Sequence, residues 1–169
     1  MMQIKKTFYS IVFFLLIANS AISQEENTKS EAGGPATAKE LVGFWKMMPL
    51  PNKSANKINP WPQDYQWFWF TENGKVYSMM KSENGEYSSA ELSNVFKVLP
   101  KDKTPNYRIQ GQFVIIDNPE IKNYKELWGT NIFAKDIEGI AKKGDLIMTL
   151  DDGTQTGKVV YYRLLRRIK

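Results

Sequence analysis

The chain has 169 residues, with 23 Lys and Arg against 18 Asp and Glu, a formal net charge of +5 at neutral pH, and neither histidine nor cysteine. The two missing residue types exclude the usual zinc sites, Ser-His-Asp and Cys-His nucleophilic systems, haem ligation by His or Cys, and any disulfide. Catalysis here would have to work with carboxylates, lysine or tyrosine; the chain is read as a non-enzyme without metal or cofactor.

At the N-terminus Lys5 and Lys6 precede an apolar run from Tyr9 to Ala18, followed by the small-residue stretch 19–23. These are the n-region, h-region and cleavage site of a secretory signal, with Gln24 as the first mature residue. The run is short of the about 20 residues that a membrane helix needs, and no cysteine follows it to carry a lipid. The expectation is an exported protein, periplasmic or extracellular, with no membrane span after signal cleavage. Without residues 1–23 about 146 remain, the size of one domain able to bury roughly 68–70% of the unfolded chain's surface. Removing Lys5 and Lys6 lowers the net charge to about +3, scattered except at the C-terminus, which does not argue for nucleic acid.

Residues 24–38 hold no large apolar side chain and read as a flexible leader, so the domain is expected over 39–169. Its first strand falls in Leu41-Val42-Gly43-Phe44-Trp45-Lys46-Met47-Met48. Residues 49–62 carry four of the eight prolines and form a long loop. The aromatic run 64–71 is a strand, Glu72-Asn73-Gly74-Lys75 a two-residue hairpin turn, and 75–80 the return strand. Asn84-Gly85 suggests another hairpin, and 93–99 a further strand. Residues 107–116 read as one strand with Gly111 at a bulge or bend. Asn118-Pro119-Glu120, followed by Ile121, Tyr124, Leu127 and Trp128 and closed by Gly129, predicts a helix. Strands at 131–137, 145–150 and 158–167 complete the chain. Seven to nine short strands with tight connections point to an antiparallel barrel or sandwich.

The opening Leu41-Val42-Gly43-Phe44-Trp45-Lys46, just after the leader, resembles the Gly-x-Trp opening of lipocalins. It is closer still to small lipocalin-like (calycin-type) domains of exported bacterial proteins, which begin with Leu-x-Gly-x-Trp and close on a Tyr-x-Leu-x-Arg type strand. Here the closing segment is Tyr161-Tyr162-Arg163-Leu164-Leu165-Arg166-Arg167. The resemblance implies a mainly β fold, an antiparallel lipocalin-like β-barrel of about eight strands with one short helix. It also implies that Gly43 lets the chain turn under the barrel floor, that Trp45 plugs that end, and that one of Arg163, Arg166 and Arg167 stacks on the plug. The helix placed before the last strands and the missing disulfide depart from the extracellular lipocalin pattern.

Strand alternation puts Tyr65, Trp67 and Trp69 on one face and Gln66, Phe68 and Phe70 on the other. The first set is the candidate ligand-binding group, lining a barrel interior for one small apolar or amphipathic ligand, with Trp61 on the proline-rich loop near the mouth. The alternatives are that both faces are packed within the monomer, or that the barrel is solid and the aromatics face a carbohydrate or a protein partner. Asp64 and Glu72 bracket the aromatic strand, while Asp151 and Asp152 are accounted for by a turn. Asp117, Glu120 and Glu126 are accounted for by capping of the predicted helix.

Overall fold

The computed structural model describes residues 33–50, 63–122, 124–152 and 158–169. Among these residues nine antiparallel strands and two helices follow one another in sequence. They are β1 (Gly33–Gly34), α1 (Ala38–Leu41), β2 (Gly43–Met48), β3 (Tyr65–Phe70), β4 (Val76–Lys81), α2 (Ser89–Lys97), β5 (Asn106–Gln110), β6 (Phe113–Asp117), β7 (Lys125–Phe133), β8 (Leu146–Asp151) and β9 (Val159–Arg167). Eight strands form one sheet in the order β4-β3-β2-β9-β8-β7-β6-β5, with β1 added on β7. The sheet curls into a half-barrel, the antiparallel lipocalin-like fold class expected.

The seam between the edge strands is short. Lys75 and Asn106 form a single bridge, flanked by the Val76 N–H donating to Pro105 O at 3.0 Å and the Tyr107 N–H donating to Gly74 O at 2.7 Å. Tyr107 also donates its hydroxyl to Thr71 O at 2.7 Å and packs edge-on against Phe70. The β3–β4 hairpin that positions this seam forms where Asn73-Gly74 predicts it, although Thr71 N–H reaches across to Lys75 O, which makes the loop three residues rather than two. Gly74 supplies the left-handed residue, with φ of +76°.

Alternation along the strands divides the apolar side chains into two layers. The inner layer contains Trp45, Phe68, Phe70, Val76, Val114, Ile116, Trp128, Leu146, Met148, Tyr161 and Leu165, with Leu41 and Ala36 closing one end. The outer layer is smaller: Trp67 and Tyr77 are buried beneath Leu92 and Phe96 of α2, with Phe44, Tyr65, Trp69, Met79, Tyr87 and Ile168 around them. Helix α2 starts at a capping box, in which the Glu91 N–H donates to Ser88 Oγ and the Ser88 N–H donates to Glu91 Oε2. Leu92 and Phe96, four residues apart, then fall on the face turned to the sheet.

Several expectations are corrected. The described residues of 118–128 contain no helix: Asn118 Oδ1 does accept the Glu120 N–H at 3.0 Å, but the cap serves only a turn. Ile121 and Tyr124, which the helix reading would bury, are 49% and 42% exposed. Strand β7 takes over at Lys125, because pairing on both sides, with β6 and β8, outweighs the local helical spacing. The helix of more than one turn lies instead at α2, where 93–99 reads as a strand, so Asn84-Gly85 leads into a helix and makes no hairpin. Gly111, with φ of +59°, is the turn between two strands and not a bend within one. Finally, Gly33 and Gly34, expected within the flexible leader, pair with Phe133 and Ile132, and Ala36 is 2% exposed.

Candidate functional site

At the closed end, Gly43 adopts φ of +135°, and a Cβ there would collide with Arg167 Nη1. That approach lets the Arg167 guanidinium lie 4.3 Å from the Trp45 ring, donating to Val42 O at 2.7 Å and to Glu40 O. Trp45 is fully buried and donates its indole N–H to Leu41 O at 2.8 Å. Of the three candidate arginines, Arg167 is thus the one stacked on Trp45. Arg166 turns the other way, to a bidentate pair with the buried Asp145 at 2.7 and 3.0 Å.

Arg163 has a third environment. Alternation on β9 carries it inward with Tyr161 and Leu165, and it is 4% exposed. Its guanidinium carbon lies 4.4 Å from the Trp128 ring, 5.0 Å from Phe68 and 5.8 Å from Tyr161. Glu126 stands beside this box, accepting the Trp128 indole N–H at 2.7 Å and the Tyr124 hydroxyl at 3.4 Å. Burial pushes the Arg163 pKa down to about 10, opposed by the nearby Glu126, so the group is still a cation at neutral pH. Burial also raises Tyr161 and, together with Glu126, Tyr124. On the same inner face, Gln66 is 1% exposed, and its Oε1 has no hydrogen-bond partner among the described residues. The interior thus combines aromatic walls with a buried cation and a buried amide acceptor, an arrangement suited to holding the polar head of a small molecule.

The aromatic residues expected to line the cavity sit elsewhere. Tyr65, Trp67 and Trp69 do share a face, but it is the outer one, under α2. The inward set is the alternate one, Gln66, Phe68 and Phe70, because Phe68 pairs with Trp45 across β2 and both belong to the inner layer. Trp69 is stacked between Phe44 at 5.1 Å and Tyr77 at 5.3 Å, which leaves a ring edge rather than a flat platform towards a groove of about 740 Å³ beside Lys97 and Lys101. Trp61 lies outside the described residues.

Two of the conspicuous groups escaped sequence reasoning. Glu126 and Trp128 fall in the segment whose spacing reads as a helix, and Arg163 reads as one of three arginines of a basic closing strand, any of which could stack on the plug. The parity of β9, with Tyr161, Arg163 and Leu165 at every second position, is the signal that places Arg163 among inward side chains. Among the described residues, no helix is long and apolar enough to cross a membrane. Comparison of the chain with family models, curated proteins and solved structures finds no match.

Proposed function

We propose that this is an exported, non-enzymatic binding protein that takes one small amphipathic molecule against the inner face of its half-barrel. The observation that carries the reading is the guanidinium of Arg163, buried among Trp128, Phe68 and Tyr161 on that face. Glu126 beside it already offsets part of the cost of holding a cation in an apolar interior, and an anionic oxygen on a ligand would add charge-assisted hydrogen bonds to that arrangement. Gln66 Oε1 favours a head group that also offers a donor, and the inner aromatic residues provide the apolar wall. In this reading Tyr65, Trp67 and Trp69 contribute by fixing α2 on the sheet, not by touching the ligand. The exported location rests on the signal-like N-terminus, and the lipocalin-like assignment on the Gly43-x-Trp45 opening and its Arg167 stack.

The test is a titration of the signal-free chain with a fluorescent long-chain carboxylate and with its uncharged methyl ester. The acid is expected to bind in the micromolar range, about 8 kcal/mol, and the ester about tenfold or more weakly. Gln66→Leu, which keeps the volume near constant, is expected to leave the plain acid, which has no donor for Oε1, nearly unchanged and to weaken an N-acyl amino acid probe, whose amide N–H can donate to Oε1, with little loss of stability. Equal affinity for acid and ester, or no binding of either, overturns the reading.

A further inference from the structure

We propose that Asn84 is a site of spontaneous deamidation in the folded protein, while the chain's other Asn-Gly pair at Asn73 is protected. In this chemistry the backbone nitrogen of the glycine attacks the side-chain carbonyl carbon of the preceding asparagine. A five-membered succinimide forms and ammonia leaves. Water then opens the ring at either carbonyl, giving aspartate or isoaspartate. The net change is loss of ammonia and gain of water, with one new negative charge. Glycine favours the attack because no Cβ blocks the approach.

The fold treats the two pairs in opposite ways. Gly74, whose nitrogen would attack Asn73, donates its N–H to Thr71 O at 3.1 Å. Asn73 Oδ1 accepts the Thr71 hydroxyl at 2.5 Å, and the turn is held between two fully paired strands, β3 and β4. Asn84 and Gly85 lie in the stretch 84–88 between β4 and α2, which is neither helix nor strand, and Asn84 is exposed. Neither the Asn84 side-chain amide nor the Gly85 N–H has a hydrogen-bond partner among the described residues. Attacking and attacked groups are therefore both free at Asn84 and both engaged at Asn73. Closing the ring at Asn73 requires the hairpin turn to open first.

The modified loop is connected to the outer layer. Glu86 pairs with Lys46 on β2, and Tyr87 stands edge-on to Trp67 at 5.0 Å, with Lys81 over its ring at 4.9 Å. Gly85 lies close to the Tyr87 ring: a Cβ there would sit 2.8 Å from Cε2. Isoaspartate at 84 lengthens the main chain by one methylene just before this tight contact. It also places a carboxylate between Glu83 and Glu86. The expected reading is a shift in Tyr87 and Trp67 resonances, and none in those of the Arg163 box.

The experiment incubates the folded signal-free chain in mildly alkaline buffer and follows both Asn-Gly peptides by mass spectrometry, with isoaspartyl methyltransferase labelling. Conversion at Asn84 is expected to be about tenfold or more faster than at Asn73, since the turn's hydrogen bonds protect the latter. In denaturant the two rates are expected to converge. Asn84→Gln is expected to remove the fast product without disturbing the fold, as the exposed side chain makes no hydrogen bond among the described residues that it would lose. Equal rates in the folded chain, or faster conversion at Asn73, overturn the proposal, as does an Asn84 peptide that converts only in denaturant.

Discussion

Strand β3 buries both of its faces, and the two are covered by different means. Phe68 and Phe70 face an interior that the sheet makes by curling on itself, so their neighbours come from strands scattered over the whole chain. Trp67 and Trp69 face a single helix of nine residues, anchored by one capping box and two apolar side chains, Leu92 and Phe96. The inner layer is therefore a property of the complete fold, whereas the outer layer is an attachment able to loosen by itself. The candidate site belongs to the first kind. Its arginine, its glutamate and its aromatic walls come from β3, β7 and β9.

The largest expected effect probes the inner layer. Trp45→Ala removes a fully buried ring, its bond to Leu41 O and the surface on which Arg167 stacks. Unfolding by urea should show a loss of about 3–5 kcal/mol, seen equally by far-UV circular dichroism and by tryptophan fluorescence. A melting point unchanged from the parent would remove Trp45 from the role of plug. Phe96→Ala, in the outer layer, should cost about 3 kcal/mol of the stability of that layer. Here hydrogen exchange is the sharper measurement, with amides of α2 accelerated and those of β7 and β8 not. Uniform acceleration would mean that the two layers are one cooperative unit.

Arg167→Lys comes next, at about 1–2 kcal/mol, because a lysine keeps the charge but cannot stack flat on Trp45 while donating to both Val42 O and Glu40 O. Ser88→Ala should cost about 1 kcal/mol through the lost cap of α2. The smallest effect is one of pH. Hydrogen bonds from the Ser88 backbone and side chain hold the Glu91 carboxyl below its ordinary value. Its contribution is thus fully present above about pH 4.5 and is lost as the pH falls through the lowered folded value. Protection of the first turn of α2 should decline in that acid range in the parent and not in Glu91→Gln.

Local chemistry was legible where it decided the structure. The aromatic alternation marks β3, Asn73-Gly74 marks its turn, and the closing strand is readable in 158–167. It failed where distant pairing decided, as in β7, whose cap and helical spacing are present in the sequence and are overridden by two neighbouring strands. The α2 error is different in kind, because Ser88 with Glu91, followed by Leu92 and Phe96, is a helix start that the sequence displays. The inward position of Arg163 depended on knowing which face of β9 is concave. That direction follows from the curl of the whole sheet and not from β9 itself.

Strand β2 lies between β3, its next neighbour along the chain, and β9, more than a hundred positions further on. One of its edges can zip early through a short-range hairpin partner, while the other waits for the distant β9. Pairing across such a separation is slow relative to local contacts. Until β9 arrives, the backbone edge of β2 and the apolar side chains Trp45 and Met47 stand open to other chains. Refolding is therefore expected to have a concentration-dependent yield, with capture of β9 beside β2 as the step that competes with aggregation.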